Sequence, residues 1–202
     1  MMDRSAAIIL AAGLSRRMGN INKLLIPVDG IAMIRRSVEA YIEACDGKIT
    51  VVTGNERAKV EAALHGLDVE FVFNPEFEQG QKTSVATGLA AAAPAQDTLI
   101  GLGDQPFLTS THLLWLLEQH RANTSCKITV PVQDGIRGNP LIIPFELKPQ
   151  LLADRHNPGC HRFTRDNPDL VQMVATRTDA FFRDLDTPED IDALQLKEEA
   201  TS

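Results

Sequence analysis

Cysteine is scarce and badly spaced for chemistry: Cys45, Cys126 and Cys160 are three in number, far apart, and include no C-x-x-C pair. That argues against a zinc site and against a disulfide framework, and fits reduced thiols in a cytoplasmic protein. No apolar run approaches the roughly 20 residues needed to span a bilayer. The apolar run near the start passes into a glycine and three cations where a small-residue cleavage site would stand, so a signal peptide is not expected. Positive charge is in deficit, with 20 Lys and Arg against 27 Asp and Glu and a net charge of −7. A nucleic acid or an anionic membrane is therefore disfavoured as the main partner. Two glycine signatures are missing as well. Neither the Gly, four residues, Gly-Lys-Ser/Thr pattern of a P-loop nor the Gly-x-Gly-x-x-Gly of a dinucleotide-binding turn occurs at the first strand.

A hydrophobic content of 44% over 202 residues can fill one substantial core. Strand-like apolar runs recur at Ala6–Ala11, Ile49–Thr53, Val69–Phe73, Thr98–Leu102, Ile128–Val132 and Leu141–Ile143. Helical spacing links Ile31, Ile34, Val38, Tyr41, Ile42 and Cys45, and again Val60, Ala63 and Leu64. Val85–Ala93 and Thr109–His120 read as further helices, the second capped by Ser110 or Thr111. Strands apolar throughout, alternating with helices, predict an α/β domain with a mostly parallel sheet covered on both faces. Glycine and proline cluster after about residue 133, at Gly135–Pro140 and Asn157–Cys160, with a short helix near Phe145–Ala153 between them. The chain is expected to be a single domain. Residues up to about 132 carry the regular strand–helix alternation, and about 133–196 are expected to decorate one end of the sheet. A strand over Leu170–Val174, a strand-like Phe181–Asp186, and a terminal helix capped by Thr187 with Pro188 at its first position complete the expected order.

The chemistry concentrates at strand ends. Residues 9–23, Ile-Leu-Ala-Ala-Gly-Leu-Ser-Arg-Arg-Met-Gly-Asn-Ile-Asn-Lys, join a short strand to a loop holding Gly13, Ser15, Arg16, Arg17, Gly19 and Lys23. Glycine lets backbone N–H groups approach phosphate oxygens, Arg offers a planar donor fork, and Lys offers a compact charge. This is what a polyphosphate needs. Thr53-Gly54 and Gly103-Asp104-Gln105-Pro106 close two further strands, and ligands of open α/β sheets bind at such ends. Asp104 is then either a Mg²⁺ ligand beside a polyphosphate or the cap of a helix starting near Pro106. Asp186, ending its own strand, is the candidate second carboxylate, while Glu189 and Asp190 suit a helix N-terminus. In Asn74–Val85, Thr83 and Ser84 either cap the helix that follows or read a base or ribose. His120 is placed at a helix C-terminus, Tyr41 and Trp115 in the core, and His156, Cys160 and His161 in a loop that either shapes a ligand or touches a soft metal.

In order, Leu-Ala-Ala-Gly-x-Ser-x-Arg-Met-Gly with Lys23, then Gly-Asp-Gln-Pro, then Asp-Thr-Pro-Glu-Asp resembles the nucleotidyltransferases that complete molybdenum cofactors, a MobA-like superfamily. Leu-Ala-Ala-Gly with Gly-Asp-Gln-Pro is most similar to the cytidylyltransferase branch, since guanylyl enzymes usually show Leu-Ala-Gly-Gly and Gly-Asp-Met-Pro. The resemblance implies a GT-A-type, Rossmann-like three-layer fold and transfer of CMP from CTP to the phosphate of molybdopterin with release of pyrophosphate. It implies Mg²⁺ as cofactor, held by Asp104 and Asp186. Arg17, Lys23 and Asp104 would be catalytic. Leu10, Ala11, Ala12, Gly13, Ser15, Thr53, Gly80, Thr83 and Ser84 would join them around the nucleotide. Gln105, Gly138, Asn139, Pro140, Gly159, His161 and Arg162 would face the acceptor. Cys160-His161 stands where that branch frequently has Ala-Arg. A molybdenum hydroxylase or its maturation factor would receive the product. Guanylyl transfer, transfer onto a sugar or alditol phosphate, and a non-catalytic cofactor chaperone are the alternatives.

Overall fold

The structure, a computed structural model, describes residues 3–19, 21–123, 126–153, 160–185, 187 and 189–190. Its central strand is apolar on both sides. β1 (Asp3–Ala11) turns Ala7, Ile9 and Ala11 into one core cluster and Ile8 and Leu10 into another. A strand without a polar face has to be covered by two layers. α1 (Met33–Ala44), α2 (Arg57–Ala63) and α4 (Ser110–Ala122) cover the Ile9 side. α3 (Gln81–Ala91), α5 (Lys148–Ala153) and α6 (Cys160–Asp166) cover the other. The expected three-layer α/β architecture is what the chain forms.

β2 (Pro27–Val28) and β3 (Ile31–Ala32) make a small hairpin outside the main sheet. The other strands are β4 (Ile49–Thr53), β5 (Glu70–Phe73), β6 (Ala95–Leu102), β7 (Ile128–Gln133), β8 (Ile136–Arg137), β9 (Leu141–Pro144) and β10 (Val171–Ala175). They join β1 in one sheet ordered β10-β7-β9-β6-β1-β4-β5, with β8 paired to β7. The β1–β4, β1–β6, β4–β5 and β7–β10 pairs are parallel. β9 is antiparallel to both β6 and β7. Among the described residues no helix is long and apolar enough to cross a membrane.

Two local expectations are corrected. α4 is capped by Thr109, not Ser110 or Thr111: His112 Nδ1 lies 3.2 Å from the Thr109 amide and 3.0 Å from its hydroxyl, a reciprocal cap that needs a side chain three residues on. Phe181–Leu185, the described part of the expected strand-like Phe181–Asp186, is not a strand. Asp179–Phe181 is a single 3-10 turn, because the Phe181 ring enters the core beside Trp115 and His112, each with ring centroids 5.9 Å away. Asp186 itself, Pro188 and the residues after 190 lie outside the described residues. Thr187 and Asp190 do cap one another, with the Asp190 amide 3.2 Å from the Thr187 hydroxyl.

Opposite the strand ends that carry the chemistry, Asp97 near the start of β6 is buried with two side-chain partners, Arg121 and His120. Arg121 Nε donates to it at 2.8 Å, and His120, whose other ring nitrogen meets Thr129 Oγ1 at 2.7 Å, lies 3.2 Å away. Burial raises the Asp97 carboxyl, but the hydrogen bonds and charges of His120 and Arg121 outweigh it, so its pKa is lowered. A carboxylate with a depressed folded pKa stabilises the fold above its unfolded value of about 3.9, and that contribution fades as pH falls through the folded value. Asp97→Asn is therefore expected to lower stability by about 1–3 kcal/mol near neutral pH. Thermal melts from pH 7 to pH 3 should show the gap between wild type and variant closing at the acid end. A gap constant with pH would contradict it.

Candidate active site

The site is built where three parallel strands end together. Registers Ala11 with Thr53 and Leu10 with Leu102 bring the ends of β4 and β6 to either side of β1. The Gly103 amide, just beyond β6, still donates to Leu10 O at 3.1 Å. From this rim the loop 12–23 turns back on itself. Ser15 takes a left-handed backbone, φ 48, and starts a 3-10 turn over Arg16–Met18. Its hydroxyl accepts the Lys23 amide at 3.2 Å, so one serine clips both ends of the basic segment. Met18 anchors the turn in a small cluster with Val28, Met33 and Leu185.

Lys23 then reaches across the rim to form an ion pair with Asp104 Oδ2. Both side chains are largely buried, at 14% and 16% exposure, so this pair is shielded from solvent far more than a surface bridge. Asp104 Oδ1 is buried and has no hydrogen-bond partner among the described residues. An ionised oxygen in that state is costly unless something cationic or protic completes it. The helix-cap alternative for Asp104 is ruled out, since α4 begins only at Ser110 and carries its own cap.

The loop and rim line a cleft of about 440 Å³. Of the residues expected at the nucleotide, Leu10, Ala12, Gly13, Ser15, Arg17, Lys23, Gly80, Ser84 and Asp104 line it. Nothing lies within 4 Å of where a Cβ on Gly13 would stand, so glycine keeps that backbone open to a ligand. Three other expected residues lie elsewhere. Ala11 points into the opposite core cluster because side chains alternate along β1. Thr53 is fully buried with its hydroxyl 3.4 Å from Val72 O. The Thr83 hydroxyl sits 3.0 Å from both Glu76 O and Gly80 O, inside the turn that starts α3. Leu14, Arg16, Leu24, Phe77, Glu78, Gln81 and Leu102 also line the cleft and were not singled out for it. Phe77, Glu78 and Gln81 fall in the 74–85 segment that the sequence marks, but no residue type there distinguished wall from cap.

The residues expected at the acceptor do not line this cleft. Gln105 is buried, with Nε2 donating to Asp184 Oδ1 at 2.9 Å and to Phe181 O at 3.2 Å. Its Oε1 is buried without a partner. The Asn139 amide also donates to Phe181 O, at 2.8 Å. A Cβ on Gly138 would stand 2.6 Å from that same carbonyl, so glycine is required by close approach. Pro140, buried and joined to Asn139 by a cis peptide, completes this group. His161 and Arg162 are exposed on α6, where Arg162 pairs with Asp166 at 3.0 Å. Cys160 is buried and its thiol is pushed up to about 12 by burial, so it does not offer a soft-metal thiolate. Gly159 and His156 lie outside the described residues.

Which residues could hold a metal follows from the donor set. Among the described residues no group of three or more His, Cys, Asp or Glu side chains could hold an ion by itself. Asp104 Oδ1 fits a Mg²⁺ ion whose remaining ligands are triphosphate oxygens and water, the usual arrangement for this hard cation. The Leu185 amide donates to Asp104 O at 3.2 Å, which brings the chain just before Asp186 to the same rim.

A basic loop and a rim carboxylate at the ends of parallel strands suit a nucleotide-handling α/β protein. Residues 7–172 match the MobA-like NTP transferase domain family, and the chain belongs to that family. It is 29% identical to the molybdenum cofactor cytidylyltransferase of Escherichia coli K12, over 94% of each chain. It is 27% identical to the nicotine blue oxidoreductase of Paenarthrobacter nicotinovorans, over 90% of this chain and 92% of that protein. A nucleotidyl transferase from Methanothermobacter superposes with a TM-score of 0.81 at 23% identity, covering 98% of this chain and 99% of the other. A Mycobacterium tuberculosis H37Rv protein solved in complex with manganese superposes at 0.75, with 21% identity and coverage of 95% and 97%. The chain is thus of the nucleotidyltransferase class, whose members generally use a divalent metal ion.

Asp104→Asn keeps the side-chain shape and removes the charge. Turnover should fall by roughly a thousandfold while circular dichroism and the melting profile stay native-like. Full activity with an unchanged requirement for divalent metal would show that Asp104 is structural.

Proposed function

We propose that this protein transfers CMP from CTP to the terminal phosphate of molybdopterin and releases pyrophosphate. The observation that carries it is the cleft itself, where the Gly13–Lys23 loop and Asp104 meet, Lys23 paired to Asp104. Its volume of about 440 Å³ falls within the usual range for small-ligand sites, roughly 300–1,000 Å³. Likeness to the Escherichia coli cytidylyltransferase supports the choice of base and acceptor.

The chemistry asks for position and charge. An acceptor phosphate oxygen forms a bond to the α-phosphorus while the bond from that phosphorus to the β-phosphate oxygen breaks, and pyrophosphate leaves with the electron pair. The nucleophile is already ionised at neutral pH, so no general base is needed, which agrees with a cleft that no histidine lines among the described residues. The backbone at Gly13 and the Arg17 guanidinium hold the β- and γ-phosphates. Lys23 exchanges part of its contact with Asp104 for an α-phosphate oxygen, where charge grows during transfer. Asp104, with Asp186 as the second carboxylate, would hold Mg²⁺, which when bound neutralises phosphate charge. Gln105, Gly138, Asn139, Pro140, His161 and Arg162 are assigned to the acceptor, as is Gly159, which lies outside the described residues, and a molybdenum hydroxylase or its maturation factor takes the product.

Pyrophosphate release should be measured with Mg²⁺, molybdopterin and each of the four NTPs. CTP should be used about 10–200-fold better than GTP, the range one small steric change such as Ala12 for Gly produces. Equal or better use of GTP would make the protein a guanylyltransferase. Tight molybdopterin binding with no pyrophosphate from any NTP would make it a carrier, or a redox protein like its Paenarthrobacter relative.

Lys23→Ala should depress kcat strongly, because its contact with the α-phosphate strengthens in the transition state. Arg17→Ala should mainly raise KM for the nucleotide, and Arg16→Ala should change either constant little. Steady-state kinetics decide it. Equal damage from all three would make the loop a diffuse basic patch.

A further inference from the structure

One buried side chain hydrogen-bonded to the cleft residue Ser84 has no part in the chemistry proposed above. Asn74 follows β5, is 1% exposed, and has its amide nitrogen on Thr53 O at 2.9 Å. Its side chain is saturated. Oδ1 accepts the Glu76 amide at 3.0 Å, while Nδ2 lies 2.9 Å from Thr83 Oγ1 and 3.0 Å from Ser84 Oγ. A backbone N–H can only donate, so the oxygen of this amide must face Glu76 and its NH₂ must face the two hydroxyls. Both hydroxyls are thereby acceptors from Asn74. Thr83 passes its own proton to the carbonyls of Glu76 or Gly80, each at 3.0 Å. Ser84 lines the cleft, and no described residue accepts its proton.

On the reading of this cleft as a nucleotide site, we propose that Asn74 is a positioning residue that fills one acceptor position of the Ser84 hydroxyl and leaves its proton directed into the cleft, where it donates to the base. A fixed donor selects an acceptor on the edge it meets. Cytosine presents N3 and O2 as adjacent acceptors, whereas uracil carries N3–H and guanine N1–H at the corresponding place. The choice of cytosine over uracil then has a cause in this chain: bases nearly equal in size are told apart by a hydrogen bond whose direction is dictated three bonds away. Sites that impose hydrogen-bond direction discriminate more strongly than sites that impose shape.

Asn74→Asp tests the direction rather than the presence of the contact. One carboxylate oxygen still takes the Glu76 amide, but the other can only accept, so the Ser84 hydroxyl turns its proton inward and offers lone pairs to the base. Calorimetric titration of CTP and UTP in the presence of Mg²⁺ gives the ratio of their affinities. Any repulsion between the new charge and the triphosphate cancels in that ratio. Wild type should favour CTP, and Asn74→Asp should lower the ratio at least about tenfold. In a Ser84→Ala background, whose own ratio is already low, the Asn74 change should leave it unmoved. Ser84→Ala removes only an oxygen and keeps the fold testable should Asn74→Asp not fold. An unchanged ratio in Ser84→Ala, or equal losses for both nucleotides in Asn74→Asp, would reduce Asn74 to a structural support. A wild-type protein that binds no NTP would overturn the cleft's assignment and this inference with it.

Discussion

The structure depends on β1 lying between β4 and β6, parallel to both. Parallel neighbours finish at the same rim, so three loops far apart in sequence, beginning at Ala12, Gly54 and Gly103, are delivered to one edge of the sheet. The pairing holds because β1 has no polar face: its alternate residues enter two separate cores, each roofed by helices from different parts of the chain. A one-residue slip would exchange those two sets and misplace every rim group at once. Fold and site are therefore under one constraint.

Charge is arranged against the background of the whole molecule. With a net charge of −7 the protein repels anions in general, yet Arg16, Arg17 and Lys23 gather on one short loop. Lys23, at low exposure, is faced by the Asp104 carboxylate. Asp104 in turn has one oxygen satisfied by the protein and the other poised for a ligand. On the proposed reading, a triphosphate with its cation would supply both complements together: negative charge for the basic loop and positive charge for the carboxylate. The two groups hold each other in place in the free protein and are both spoken for when the cleft is loaded.

Much of the site was legible in the sequence because its signals are local. A strand running into Gly13, Ser15, Arg17 and Lys23, and another ending at Asp104, are patterns in short stretches, and parallel topology brings them together. What was not legible is set by direction rather than position. Ala11 and Ala12 are adjacent, but only Ala12 faces the cleft, since the register of β1 decides which residue points inward. Thr83 and Ser84 are adjacent hydroxyls at a helix start, and the carbonyls of Glu76 and Gly80 hold Thr83 inside the turn while Ser84 lines the cleft. Phe181 sits in a short apolar run that imitates a strand, yet its ring is drawn into the core and its carbonyl is taken by Gln105 and Asn139 instead of a ladder. The acceptor region is the least legible part, because Gln105, Gly138 and Asn139 converge on a backbone atom that no motif encodes.

The central claim is that one cleft holds the triphosphate and its metal ion between the Gly13–Lys23 loop and Asp104. Crystals grown with Mn²⁺ and a CTP analogue that cannot release pyrophosphate test it most directly, because anomalous scattering locates the metal without reference to activity. The account predicts a single Mn²⁺ peak at Asp104, phosphate oxygens against Gly13, Arg17 and Lys23, and the base beside Ser84. Nucleotide bound elsewhere, for example in the second cleft beside Asp97 and His120, with no metal at Asp104, would contradict it.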